Sequence, residues 1–87
     1  MTTARKTIES LGYDYSKIPF EGMHILDSEP AKVTNPISGR DIELNPVELA
    51  VYDVTMGSYH IGLYDDFYKG RDWFLENNIE AYMVLID

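Results

Sequence analysis

Cysteine is absent from all 87 residues. That excludes disulfide staples, thiolate nucleophiles and cysteine metal sites, and it removes any sign of an oxidising compartment. Basic residues are scarce: seven Lys and Arg stand against fifteen Asp and Glu, for a formal net charge of −8. Phosphate neutralisation needs Lys and Arg, so direct nucleic-acid binding is disfavoured; binding a basic protein surface, or mimicking the charge of DNA, stays compatible. Histidine occurs only at His24 and His60, without the close spacing of a ligand pair, so each reads as a surface or cap residue and no metal or other cofactor is expected. No apolar run approaches the roughly 18 residues of a membrane span. Arg5 and Lys6 are followed by no apolar stretch, so no signal peptide is expected and the cytoplasm is the expected compartment.

What is present points to a folded chain. Hydrophobic residues make up 45% and aromatics 13%, enough for a core. The length fits a single domain over residues 1–87, with a core small enough that self-association would help it. The acidity is uneven: residues 1–20 sum to +1 and residues 61–87 to −4.

The clearest element is a helix over residues 46–60. Asn45 is a good N-cap, Pro46 falls where a missing N–H costs nothing, and Glu48 has the spacing of a capping box. Gly57 or Gly62 ends it. On a helical wheel Val47, Ala50, Val51 and Val54 form one apolar side, and Leu49, Tyr52, Met56 and Tyr59 form the other. Glu48 with Thr55, and Asp53 with His60, make narrow polar seams. A helix apolar on two sides needs neighbours on both.

Around it the chain reads as follows. Residues 3–11 form a short helix stopped by Gly12, and Tyr13, Tyr15, Ile18 and Phe20 lie over the core, so residues 1–30 read as a loosely ordered covering arm. Met23–Leu26 has the look of a short strand. Residues 31–44 read as a β-hairpin turning at Asn35-Pro36-Ile37-Ser38-Gly39, with Ile42 and Leu44 alternating against Asp41 and Glu43. A second long helix spans about 64–77, with Tyr64, Phe67, Tyr68, Phe74 and Leu75 on one side, expected to cover the Val47/Val51/Val54 side. Asp65 and Lys69 form an i,i+4 pair. Arg71 interrupts the aromatic side, and a buried arginine needs a partner; Asp53 and Asp87 are the candidates. Trp73 points away from that side, either packed beneath a terminal segment or free for binding, and packing is favoured because tryptophan is highly buried on average. The buried stretch 81–86 fits helix or strand: the β-rich Tyr82-Met83-Val84-Leu85-Ile86 favours a strand, whereas Asn78 as a cap, in an Asn-x-x-Ala-Tyr opening that faintly echoes the central helix, fits a short helix, which is the expectation. The fold class is therefore α+β: a mainly helical small domain with two main helices, a hairpin before them and a short buried C-terminal segment.

Catalytic signatures are missing. There is no phosphate-binding glycine loop, no paired-histidine helix and no Gly-x-Ser-x-Gly elbow, and the acids sit on what reads as a solvated helix face. The expectation is that the chain is not an enzyme.

The run Asn35-Pro36-Ile37-Ser38-Gly39-Arg40-Asp41-Ile42-Glu43-Leu44-Asn45-Pro46-Val47-Glu48, with Tyr52-Asp53, resembles small uncharacterised proteins of bacteriophages. So do Gly70-Arg71-Asp72-Trp73-Phe74-Leu75-Glu76-Asn77-Asn78 and the closing Ala81–Asp87. The resemblance covers about residues 35–87 and implies a phage origin, hence the host cytoplasm, but no mechanism.

The leading expectation is a non-enzymatic protein-interaction module, a phage accessory protein that binds and modulates a host protein, with a basic partner meeting an acidic and aromatic surface formed by Asp65, Asp72, Trp73 and Glu76. The alternative is a self-associating structural or assembly protein of a virion, joined through Leu49, Tyr52, Met56 and Tyr59. A further alternative is an acidic DNA mimic. The buried charge expected of Arg71 and Asp53 is structural.

Overall fold

A computed structural model describes residues 4–87. Four helices and a two-strand hairpin make a small α+β domain. Helix α1 spans Ala4–Ser10 and buries Ile8. It stops at Gly12, whose φ of 91° suits a residue without a side chain. A 3-10 turn, Tyr15–Lys17, follows, with Asp14 accepting hydrogen bonds from the Ser16 N–H and hydroxyl. Those bonds hold the Asp14 carboxyl below its ordinary pKa.

Among the described residues up to residue 30 there is no strand. Met23 is buried and Ile25 half-buried, but Leu26 is 85% exposed. The expected strand over Met23–Leu26 does not form: its three apolar residues, interrupted by exposed His24, have no pairing partner, and the two strands among the described residues pair with each other. These are β1, Ala31–Thr34, and β2, Asp41–Leu44, antiparallel with Ala31 opposite Leu44 and Thr34 opposite Asp41. Asn35 builds the turn. Its Oδ1 accepts from the Ile37 N–H at 2.8 Å, and its Nδ2 donates to the Val84 carbonyl at 3.0 Å, fastening the hairpin to the C-terminal segment. Gly39 supplies the positive φ, 76°.

Helix α2, Pro46–His60, opens with the full capping box: Asn45 Oδ1 accepts from the Glu48 N–H and Glu48 Oε1 accepts from the Asn45 N–H, both at 2.9 Å. Helix α3, Tyr64–Asn77, packs along it. Helix α4, Ile79–Ala81, runs on into a π-helical turn over Tyr82–Ile86. The helical reading of this end holds, with Asn78 Oδ1 capping at the Ala81 N–H, 3.1 Å.

The core joins Ile8, Phe20 and Met23 of the arm, Leu44, the α2 residues Val47, Leu49, Ala50 and Val51, Trp73 and Phe74 of α3, and Ala81, Val84 and Leu85. The two apolar sides of α2 are both used, but α3 is rotated relative to the wheel expectation. Its buried positions are Gly70, Trp73 and Phe74, while Tyr64, Tyr68 and Leu75 are exposed. The cause is a close approach. A Cβ on Gly70 would collide with Thr55 Oγ1 and lie 2.8 Å from Thr55 Cβ and Cγ2. Helices can pack this closely only where one of them lacks a side chain, and that contact sets the rotation of α3. The seam of Glu48 and Thr55 is accordingly buried, at 6% and 0% exposure. Thr55 tolerates it because its hydroxyl donates to the Val51 carbonyl one turn back, at 2.6 Å.

Candidate functional site

Two places concentrate polar or aromatic groups. The first is a buried network at the start of α2. The Glu48 carboxylate accepts from the Asn45 N–H through Oε1 and from Asn78 Nδ2, at 2.8 Å, through Oε2. One carboxylate therefore links the cap of α2 to the cap of α4. Asn45 Nδ2 donates to the Tyr13 hydroxyl at 2.8 Å, and the Tyr13 ring stands 5.3 Å from Trp73. Burial pushes the Tyr13 phenol above its ordinary pKa; the Asn45 bond opposes this and the Glu48 carboxylate adds to the rise. The network closes on itself, with no buried side-chain polar atom among the described residues left without a partner. It ties the Tyr13 segment, the start of α2 and the start of α4 together.

The second place is exposed. At the turn between α2 and α3, Tyr59 lies 5.2 Å from Phe67, 6.2 Å from Tyr64 and 5.8 Å from His60, and Phe67 lies 5.8 Å from Tyr68. Tyr59, Tyr64 and Tyr68 are about half exposed, and Ile61 and Leu63 between them are more so or equally so. Arg71 extends the row: its guanidinium sits 4.8 Å from the Tyr68 ring centroid and donates to Asp72 Oδ1 at 3.0 Å. Beside Tyr64 an open hollow of about 460 Å³ is lined by Gly62, Leu63, Tyr64, Asp65 and Asp66.

The sequence-derived site residues scatter relative to this tip. Asp65, Asp72 and Glu76 are on the exposed part of α3. Lys69 pairs with Asp66 at 3.7 Å, and not with Asp65 as the i,i+4 spacing suggested. Trp73 is 5% exposed, packed between Tyr13 and Phe74, which removes it from any binding surface. Leu49 is buried, Tyr52 and Met56 half-buried, and only Tyr59 of that set reaches the surface. Burial raises the Tyr52 phenol, with Asp53 adding to the shift. The expected buried pair of Arg71 with Asp53 or Asp87 does not form. The Arg71 side chain is 36% exposed and finds its neighbour Asp72. Asp53 is exposed, and partial desolvation, then Asp27, hold its carboxyl above the ordinary range. Arg71 escapes burial because the close approach of Gly70 to Thr55 turns its side of α3 outward.

Tyr64 and Tyr68 were assigned to the core by the wheel and belong to the tip instead. Gly70 beside Trp73 was the available signal, since a glycine in mid-helix marks a close backbone approach. Among the described residues, no group of three or more His, Asp and Glu could hold a metal ion, and no helix is long and apolar enough to cross a membrane. No known protein family matches the chain, and neither does any curated protein or solved structure.

Proposed function

We propose that this chain is a non-enzymatic protein-interaction module that presents the turn between α2 and α3 to a protein partner. The observation that carries the reading is the exposed aromatic cluster of Tyr59, Tyr64 and Tyr68 around half-buried Phe67, continued by Arg71. Aromatic residues and arginine dominate the energetic centres of interfaces, because they bury large areas with few rotatable bonds. Single exposed apolar residues are ordinary on a monomer, whereas a contiguous group marks a docking surface. The acids alongside favour a basic partner, and the resemblance of residues 35–87 to phage proteins makes a host protein the partner in this reading.

The two other readings have less to stand on. Self-association through Leu49, Tyr52, Met56 and Tyr59 would need a surface that α2 has largely spent on its own core. DNA mimicry needs a row of bare carboxylates, and on α3 Asp66 and Asp72 are paired with Lys69 and Arg71.

The test compares wild type with a Tyr59→Ser, Tyr64→Ser, Tyr68→Ser variant as baits in bacterial host lysate. The expected result is a protein retained by wild type and released by the variant. Partners retained equally by both, or light scattering that shows tip-independent oligomers, overturn the reading.

A further inference from the structure

The tip is half apolar and half acidic, and the charge decides what can cover it. A second copy of this chain would bring another net −8 and the same Asp65 and Asp66 against the first, so like charges oppose it. A purely apolar partner segment would strip water from those carboxylates without replacing it. A cation with an apolar stem meets both demands.

The chain shows on its own surface how it holds such a group. Arg71 lies over the Tyr68 ring at 4.8 Å and pairs with Asp72. Arg5 lies over the Tyr15 ring at 4.9 Å and pairs with Glu9 at 3.4 Å. Both are guanidinium groups placed on a tyrosine face with a carboxylate at the rim. Tyr64 and Asp65 line one hollow with the same two kinds of group, a tyrosine ring and a carboxylate, but the residue three after Tyr64, where Arg71 stands relative to Tyr68, is Phe67. Lys69 is engaged with Asp66. The hollow of about 460 Å³ beside them has Leu63 as its apolar wall. Asp65 lies in the first turn of α3, where the helix dipole already favours an acid, so the charge alone would assign nothing; the ring, the apolar wall and the carboxylate together do.

Resting on the interaction role proposed above, we infer that the tip docks an arginine side chain of a basic partner segment, its guanidinium over the Tyr64 ring and against Asp65, its stem along Leu63. Arginine is favoured over lysine because the planar guanidinium stacks on a ring while its N–H groups remain directed at a carboxylate.

The test uses ¹⁵N-labelled protein titrated with three blocked hexapeptides, alternating Gly with Arg, Lys or Leu. The Arg peptide is expected to shift the amides of residues 62–68 and to bind more tightly than the Lys peptide, and loss of the ring is expected to weaken it about two- to fivefold, the range a surface cation–ring contact supports. Tyr64→Leu and Asp65→Asn, both at exposed positions, are each expected to weaken the Arg peptide by a similar factor and to leave the remaining spectrum unchanged. Equal binding of the Arg and Lys peptides, or indifference to either variant, overturns the inference. Shifts at residues 62–68 from the Leu peptide alone overturn arginine docking and leave the interaction role standing. No shift from any peptide also overturns arginine docking, while the interaction role is decided separately by the lysate comparison.

Discussion

Glu48 is a buried acid whose two oxygens are both engaged in ending backbone segments. Oε1 accepts from the Asn45 N–H and Oε2 from Asn78 Nδ2. Removing it leaves two half-buried donors unpaired, each costing up to about 1–3 kcal/mol. Glu48→Ala is therefore expected to lower stability by about 2–4 kcal/mol, read from urea denaturation; a loss under about 0.5 kcal/mol would show that water replaces the carboxylate at no cost. Its neighbour Tyr13 gives a pH signature. The Tyr13 phenol is raised in the folded state, first by burial. The folded protein then holds the proton more tightly than the unfolded chain, so the contribution is complete below about pH 10, the unfolded value, and is lost as pH rises through the raised folded value. The urea midpoint should fall as pH rises above about 10, and Tyr13→Phe should flatten part of that fall, with Tyr52→Phe, also raised by burial, removing another part. A slope unchanged in both variants would place the titrating groups elsewhere. Asp53 has the same sign at the acidic end: its raised carboxyl favours folding when protonated. Asp53→Asn is expected to raise the midpoint slightly at pH 7, with the gain vanishing below about pH 4, the ordinary carboxylate range.

Among the elements, the α2–α3 pair shows what patterns carry and where they stop. The hairpin and both long helices were legible because their signals are local: Asn35 and Gly39 make a turn, Asn45, Pro46 and Glu48 make a cap, and these chemistries act within a few residues. Asn78 as a second cap was legible for the same reason. The rotation of α3 was not, because it depends on a contact between Gly70 and Thr55, fifteen positions apart in the chain, and hydrophobic periodicity weighs side-chain polarity without weighing side-chain absence. That one contact explains why Trp73 is inside, why Tyr64 and Tyr68 are outside, and why Arg71 meets Asp72 instead of Asp53. The strand expected over Met23–Leu26 failed for a related reason, since a strand exists only with a partner. The contact is testable. Alanine is favoured over glycine in a free helix by about 1 kcal/mol, yet Gly70→Ala should destabilise by about 1–3 kcal/mol because its methyl group meets Thr55. Thr55→Ala alone should have the smaller effect, since the Thr55 hydroxyl bonds only within its own helix. Thr55→Ala with Gly70→Ala should recover part of the loss, because the Oγ1 and Cγ2 contacts go while the Cβ at 2.8 Å stays, and strict additivity in that cycle would argue against the contact.

Across the whole molecule, burial separates residues that keep the fold from residues available to a partner, and the aromatics of α3 fall toward opposite ends of that range around half-buried Phe67. Trp73 and Phe74 are buried, at 5% and 0% exposure, whereas Tyr59, Tyr64 and Tyr68 are about half exposed. The sole tryptophan makes the division measurable. Packed beside Tyr13, Trp73 should emit at short wavelength and resist acrylamide quenching, and Trp73→Ala should cost about 3–5 kcal/mol, a large share of the stability of a domain this small. Tyr64→Ser and Tyr68→Ser should each stay within about 0.5 kcal/mol of wild type, as surface changes do, while removing the contact surface of the tip. Stability and partner binding should thus respond to different aromatics of the same helix. If Tyr64→Ser and Tyr68→Ser were found to unfold the domain as Trp73→Ala does, the tip would be part of the core and the interaction role would lose its surface. If they leave Trp73 fluorescence unchanged and abolish binding, the aromatic row is retained for what it meets outside the molecule.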